Sequence, residues 1–201
     1  MKLTYKSKII VLFLFFSQLS FASWPEYFNS TAKRKDSQAE RVVRVLKLKR
    51  GSAVADLGAG GGYFSVLMAR AVGKKGVVYA VEISRESIRY IKKYAMKMGV
   101  KNVKTILARE NDSKLKSKSV DLVFVRNVFH HISNQVKYFK KLRQVLNPGG
   151  KVVIIEYKPH VYPGHSTKES VVYEKMKKAG YKFYKRFIFL KRQNFNIFKV
   201  R

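Results

Sequence analysis

A doubly wound α/β domain is the fold class this sequence predicts, with a mostly parallel sheet of seven strands and a C-terminal antiparallel hairpin. Three observations predict it. From Ser37 onward, short apolar runs alternate with stretches of helical periodicity. A glycine-rich turn, Gly58 to Gly62, follows the first apolar run and leads into a helical pattern. Two aromatic-rich runs at the end, Tyr181 to Leu190 and Phe195 to Val200, stand close together with no helical segment between them. Strands separated by helices join through right-handed crossovers, which makes them parallel neighbours.

Residues 1–22 read as a secretory signal and not as part of the fold. Lys2, Lys6 and Lys8 precede the apolar run Ile9 to Phe16, and Ser20-Phe21-Ala22 offers small residues at the two positions a signal peptidase reads. The run is short for a bilayer span, so cleavage is the first reading and an uncleaved membrane tether the second. The expected location is accordingly exported, periplasmic or secreted, or membrane-associated through this segment. Residues 23–36 are expected to be a linker, and 37–201 the single domain.

Ser37-x-x-Glu40 has the form of a capping box, opening a helix to Leu48 with Ala39, Val42, Val43 and Leu46 on one face. Ala53 to Leu57 is the first strand, and Phe64, Leu67, Met68 and Ala71 mark the helix after the glycine turn. Val77 to Val81 is the second strand, ending at Glu82. Ser84 caps a helix with Ile88, Ile91, Ala95 and Met98, stopped by Gly99. Val103 to Leu107 and Val120 to Val125 are the third and fourth strands. A helix from Asn134 to Leu146 ends at Asn147-Pro148-Gly149-Gly150. Val152 to Glu156 is the fifth strand, Ser166-x-x-Glu169 starts a last helix, and the aromatic hairpin closes the chain.

The charge is extreme: 43 Lys and Arg against 12 Asp and Glu, net +31. The basic residues are spread along the domain, so the surface as a whole favours anions. There is no cysteine, which excludes disulfides, thiolate metal sites and a cysteine nucleophile. No HxxxH spacing or acidic cluster accompanies the histidines, so no metal is expected.

The stretch Val54 to Phe64 sits at a strand-to-helix turn, where glycine allows close backbone approach and the helix N-terminus presents free N–H groups. The dinucleotide fingerprint G-x-G-x-x-G requires glycine three residues after Gly60; that residue is Tyr63, so the hydride-transfer reading fails. Asp56 to Gly62 reads instead as D-x-G-x-G-x-G. Glu82 ends the second strand, Ser119-Val-Asp121-Leu-Val forms the fourth, His130-His131 follows it, and Val145-Leu-Asn-Pro-Gly-Gly150 precedes the fifth.

In order and spacing these motifs, over about residues 37–158, resemble the class I S-adenosylmethionine-dependent methyltransferases. The branch most similar is the small-molecule one typified by quinone-biosynthesis enzymes, and the chain also resembles short bacterial methyltransferases with export signals. The resemblance implies a Rossmann-like sheet and S-adenosylmethionine as cofactor. It places Asp56, Gly58, Ala59, Gly60 and Gly62 at the cofactor loop. It makes Glu82 the acid for the ribose hydroxyls, with Ile83 beside it. Where relatives carry an acid for the adenine amine, the simplest alignment has Arg109, leaving Glu110 or Asp112 for that contact. Asn127 stands where relatives often have an acid. His131 or His130 is the candidate base. Being adjacent, the two are expected to point apart, one of them structural.

The expected reaction is in-line transfer of methyl to a small-molecule acceptor. Base-amino methylation of nucleic acid uses an Asn/Asp-Pro-Pro-aromatic motif, but Val128-Phe129 follows Asn127; pyrimidine carbon methylation needs the missing cysteine. The rivals are nucleic-acid methyl transfer, motivated by charge, and a non-catalytic cofactor-binding module, motivated by export. The chain is expected to be a monomer, with weak non-specific polyanion binding and association with a membrane surface.

Overall fold

The computed structural model describes residues 23–201, so the signal expected over residues 1–22 lies outside the described residues. Seven strands form one sheet: β1 (Ala53–Leu57), β2 (Val77–Glu82), β3 (Val103–Leu107), β4 (Val120–Arg126), β5 (Leu146–Tyr157), β6 (Tyr181–Phe187) and β7 (Gln193–Val200). Their order is β3-β2-β1-β4-β5-β7-β6. The first five are mutually parallel, with Val54 facing both Val78 and Leu122 in register. β7 runs antiparallel to β5 and to β6, as the aromatic hairpin predicted.

Alternating residues of the central strands feed two cores. Ala55, Leu57, Val123 and Val125 face one layer, with Phe139 of α5 (Gln135–Leu142) and Met176 of α6 (Glu169–Lys178). Val54, Phe124, Val153 and Ile155 face the other, with Val42 of α2 (Ala39–Val45) and Phe64 and Met68 of α3 (Tyr63–Val72). Strands buried on both faces read as near-continuous apolar runs, which is why the central strands were legible in the sequence. α4 (Arg85–Lys97) sits beside β3, with Tyr94 and Ala95 packed on Val66. Ser84 caps it as expected, accepting the Ser87 N–H at 3.2 Å.

Four expectations change. The supposed linker 23–36 contains a helix, α1 (Trp24–Lys33), and a 3₁₀ turn at Lys35–Ser37. Pro25 opens that helix, and its buried face of Pro25, Asn29 and Ala32 has an i, i+3, i+4 spacing. The capping box at Ser37 does not form. The Ser37 hydroxyl donates back to the Ala32 carbonyl, Gln38 takes the N-cap in a left-handed conformation, and Glu40 accepts the Tyr63 hydroxyl at 2.8 Å. Ser166-x-x-Glu169 fails likewise: α6 starts at Glu169, whose carboxylate is taken by Asn196 at 2.8 Å and Arg186 at 3.0 Å. The helix expected to run to Leu146 ends at Leu142, and β5 extends back to Leu146, pairing it with Val120. No helix among the described residues is long and apolar enough to cross a membrane.

Candidate active site

The sheet order reverses direction between β1 and β4, and a parallel sheet opens a crevice beyond the carboxyl ends of its strands at such a point. The glycine-rich loop, Glu82, Asn127 and the histidine pair all follow those strand ends. The loop is tied to β2 by Gly58 N–H and Ala59 N–H, which donate to the Val81 carbonyl at 2.9 and 3.2 Å. Glu82 faces back onto it. One carboxylate oxygen accepts the Gly60 N–H at 2.7 Å and the other the Ile83 N–H at 3.0 Å. Burial pushes the Glu82 carboxyl upward, and the N–H groups of Gly60, Ile83 and Ser84 oppose that shift. Ile83, just past it, is 57% exposed and presents an apolar side chain at the crevice edge.

Asp56 has a different setting. It is buried, and its carboxylate is bound by the Ser65 hydroxyl of α3 at 2.5 Å. Burial pushes it up to about 7, against the pull of Ser65 and the more distant Arg126, with repulsion from Glu82 adding to the rise. Asp56 therefore fastens the start of the loop to the helix after it.

α1 roofs the same loop. A Cβ on Gly60 would stand 3.1 Å from Phe28, and one on Gly61 would stand 2.1 Å from the Pro25 carbonyl oxygen. Asn29 Oδ1 accepts the Tyr63 N–H at 3.0 Å, satisfying a free donor at the N-terminus of α3. Its Nδ2 is buried without a partner among the described residues. The glycines thus admit a helix as well as a ligand. Neither Phe28 nor Asn29 was foreseen, since their stretch read as linker.

The histidine pair occupies a 3₁₀ turn, Phe129–His131, after β4. Glu156, buried at the end of β5, bonds His130 Nδ1 at 2.9 Å and accepts the His130 N–H at 3.3 Å. The two imidazoles do not point apart as expected. Their ring centroids are 4.0 Å apart, and His165 lies 5.8 and 6.0 Å from them. The tight turn brings neighbouring side chains to one side, where an extended strand would have opposed them. Burial, then the adjacent His130 and His165, lowers the His131 pKa. Glu156 was visible in sequence as an acid closing an apolar run; His165 had no spacing signal linking it to the pair.

The remaining residues are placed less centrally. Ala108 N–H donates to the Glu82 carbonyl at 2.8 Å, which sets the Arg109–Asp112 turn beside β2. Glu110 is exposed there, while Asp112 pairs with Lys114 Nζ at 2.9 Å, and hydrogen bonds from Lys114 lower its pKa. Asn127 has a positive φ of 55° and its Oδ1 accepts Gln193 Nε2 at 2.6 Å, linking β4 to β7. A shallow groove at the opposite end of the strands, lined by Arg50, Ser52, Asp121 and Pro148, contains none of these residues.

Comparison with known proteins gives a consistent picture. A family described as a methyltransferase domain matches residues 48–190. The demethylmenaquinone methyltransferase of Bacillus mycoides is 23% identical over 124 residues, covering 62% of this chain and 52% of the relative. The ubiquinone/menaquinone biosynthesis C-methyltransferase of Wigglesworthia glossinidia brevipalpis is 27% identical over 105 residues, covering 52% and 42%. The chain spans about half the length of the curated relatives it matches. A SAM-dependent methyltransferase structure from Aquifex aeolicus superposes with a TM-score of 0.79 at 25% identity, over 87% of this chain and 98% of that one.

Proposed function

The chain belongs to the class I S-adenosylmethionine-dependent methyltransferases, and from that membership we propose that it transfers a methyl group to a small-molecule acceptor. The observation that carries this reading is the Glu82 carboxylate, held against the glycine loop by the Gly60 N–H at 2.7 Å. Each of its oxygens keeps a lone pair for a ribose hydroxyl. The residues around it fit the cofactor. Ile83 offers an exposed apolar face for a base, and the orphaned Asn29 Nδ2 is a donor suited to an acceptor group such as a carboxylate.

When bound, S-adenosylmethionine supplies a sulfonium-activated methyl group. The protein's part is alignment and exclusion of water. α1 covers the glycine loop at Gly60 and Gly61, and Val128, just before the Phe129–His131 turn, packs at Gly58. Burial lowers the His131 pKa and so favours the neutral imidazole, which can take a proton from a hydroxyl or carbon acid acceptor. His130 is held by Glu156, which favours His131 as the base. The quinone methyltransferases among the relatives support a small, largely apolar acceptor. Export, or tethering through the N-terminal segment, completes the proposal and rests on the pattern of residues 1–22 alone.

The test is transfer of labelled methyl to RNA, DNA and a lipid-plus-metabolite extract, each at low and moderate salt. A small acceptor should be labelled at both, because its encounter is not steered by charge. Polyanions should bind weakly and be released by salt. Label at a defined RNA nucleotide that survives moderate salt would overturn the small-molecule reading. Label in none of the three would favour a non-catalytic cofactor-binding module.

A further inference from the structure

We propose that His130, His131 and His165 form a site for a divalent transition-metal ion of the zinc type, with Glu156 as the carboxylate behind it. Each imidazole offers a nitrogen, and these nitrogens lie within 4.8 Å of one another. A tetrahedral zinc ion, with bonds of about 2.0–2.1 Å, holds its ligand nitrogens about 3.4 Å apart. The closing movement required is therefore small. It is also free to occur, because His131 and His165 are exposed and His165 lies in the irregular segment between β5 and α6.

A second observation, independent of the cluster's proximity, is the setting of His130. Its Nδ1 is bonded at 2.9 Å to Glu156, whose side chain is only 2% exposed. Glu156 is itself fixed by the N–H groups of His130 and Tyr157 at 3.3 and 3.1 Å. A carboxylate on Nδ1 keeps the proton there and directs the lone pair of Nε2 outward. Metal-ligating histidines are characteristically oriented in this way, through a carboxylate on the far ring nitrogen. The buried acid is thus explained as the support of a ligand.

Three imidazoles without a thiolate or a ligating carboxylate favour zinc-type ions over magnesium or calcium. Three protein ligands leave one position open. The three ligands follow the carboxyl ends of β4 and β5. If the small-molecule reading holds, the open position would take an oxygen of the acceptor, and the ion, by lowering the pKa of that oxygen's proton, would replace His131 in promoting its loss; that role rests on the reading, whereas metal binding does not.

The experiment uses the full-length protein without a histidine tag, stripped by chelator and checked by circular dichroism. Titration with zinc chloride in a calorimeter should show one ion per chain with micromolar or tighter affinity, and magnesium chloride should show none. Cobalt chloride should produce the visible absorption of a tetrahedral site. His165→Ala should abolish that absorption and weaken zinc binding by at least about tenfold. Glu156→Gln should weaken it by about 10–100-fold. His160→Ala, at a histidine outside the cluster, should leave it unchanged. Binding of the S-adenosyl cofactor measured on the same samples separates loss of metal from loss of the cofactor site. Absence of zinc uptake by the folded wild-type chain, or zinc bound equally well by His165→Ala, would overturn the proposal.

Discussion

Glu82 at the end of β2 accepts the Gly60 N–H at 2.7 Å, so the acid and the glycine loop that flank the crevice are one hydrogen-bonded unit. Removing the carboxylate takes away both the proposed bonds to ribose and the anchor of the loop. Glu82→Ala should weaken binding of the S-adenosyl cofactor by about 1.5–3 kcal/mol, the range for charge-assisted hydrogen bonds. Calorimetry that finds equal affinity in the variant would remove Glu82 from the site.

Asp56 makes a pH-dependent contribution of unusual sign. Its folded pKa is about 7, above its ordinary 3.8. Between those values the folded state holds a proton that the unfolded chain releases. Its contribution to stability therefore falls as pH rises from about 4 to 7 and stays low above that. Asp56→Asn cannot ionise and keeps an oxygen for the Ser65 hydroxyl. Urea melts should show the variant gaining on wild type between about pH 5 and about pH 8. A difference that does not change with pH would mean Asp56 is ionised throughout.

The roofing of the loop by α1 depends on Gly61. An added Cβ there meets the Pro25 carbonyl oxygen and the Asn29 amide, both short of contact distance. Gly61→Ala should displace α1, cost about 1–3 kcal/mol as overpacking does, and open residues 24–36 to limited proteolysis. Cleavage rates equal to wild type would show that α1 is not locked onto the loop.

The N-terminal segment is tested on the mature protein. If the signal is cleaved after Ala22, N-terminal sequencing of the exported chain should begin at Ser23. Recovery of a chain starting at Met1 in the soluble cytoplasm would sink the export proposal.

Much of this architecture could be read from the chain because the central strands are buried on both faces. Apolar runs such as Val120 to Val125 and Val152 to Ile155 can only be central strands or buried helix, and their lengths favour strands. The glycine loop and Glu82 were legible for a related reason: a strand end, a turn and an acid at fixed spacing are local features. The errors lay where side chains had a choice of partner. Ser37 and Glu40 spell a capping box, yet Ala32 and Tyr63 take them instead. Asn29 looks like a linker polar residue, yet it caps the helix after the glycines.

The sequence by itself determined the strand and helix order from Ser37 onward, the basic surface, the absence of thiol chemistry and the loop-plus-acid at the candidate cofactor site. These depend on composition and on spacings within one or two elements, which the chain carries directly. Only the tertiary structure decided that α1 covers the loop, that Glu156 stands behind His130, and that His165 closes on the histidine pair. Each of those joins residues from separate elements at the carboxyl ends of the strands. Their proximity is set by how the sheet orders β1, β4 and β5 and returns the chain after β5, and no local spacing encodes it.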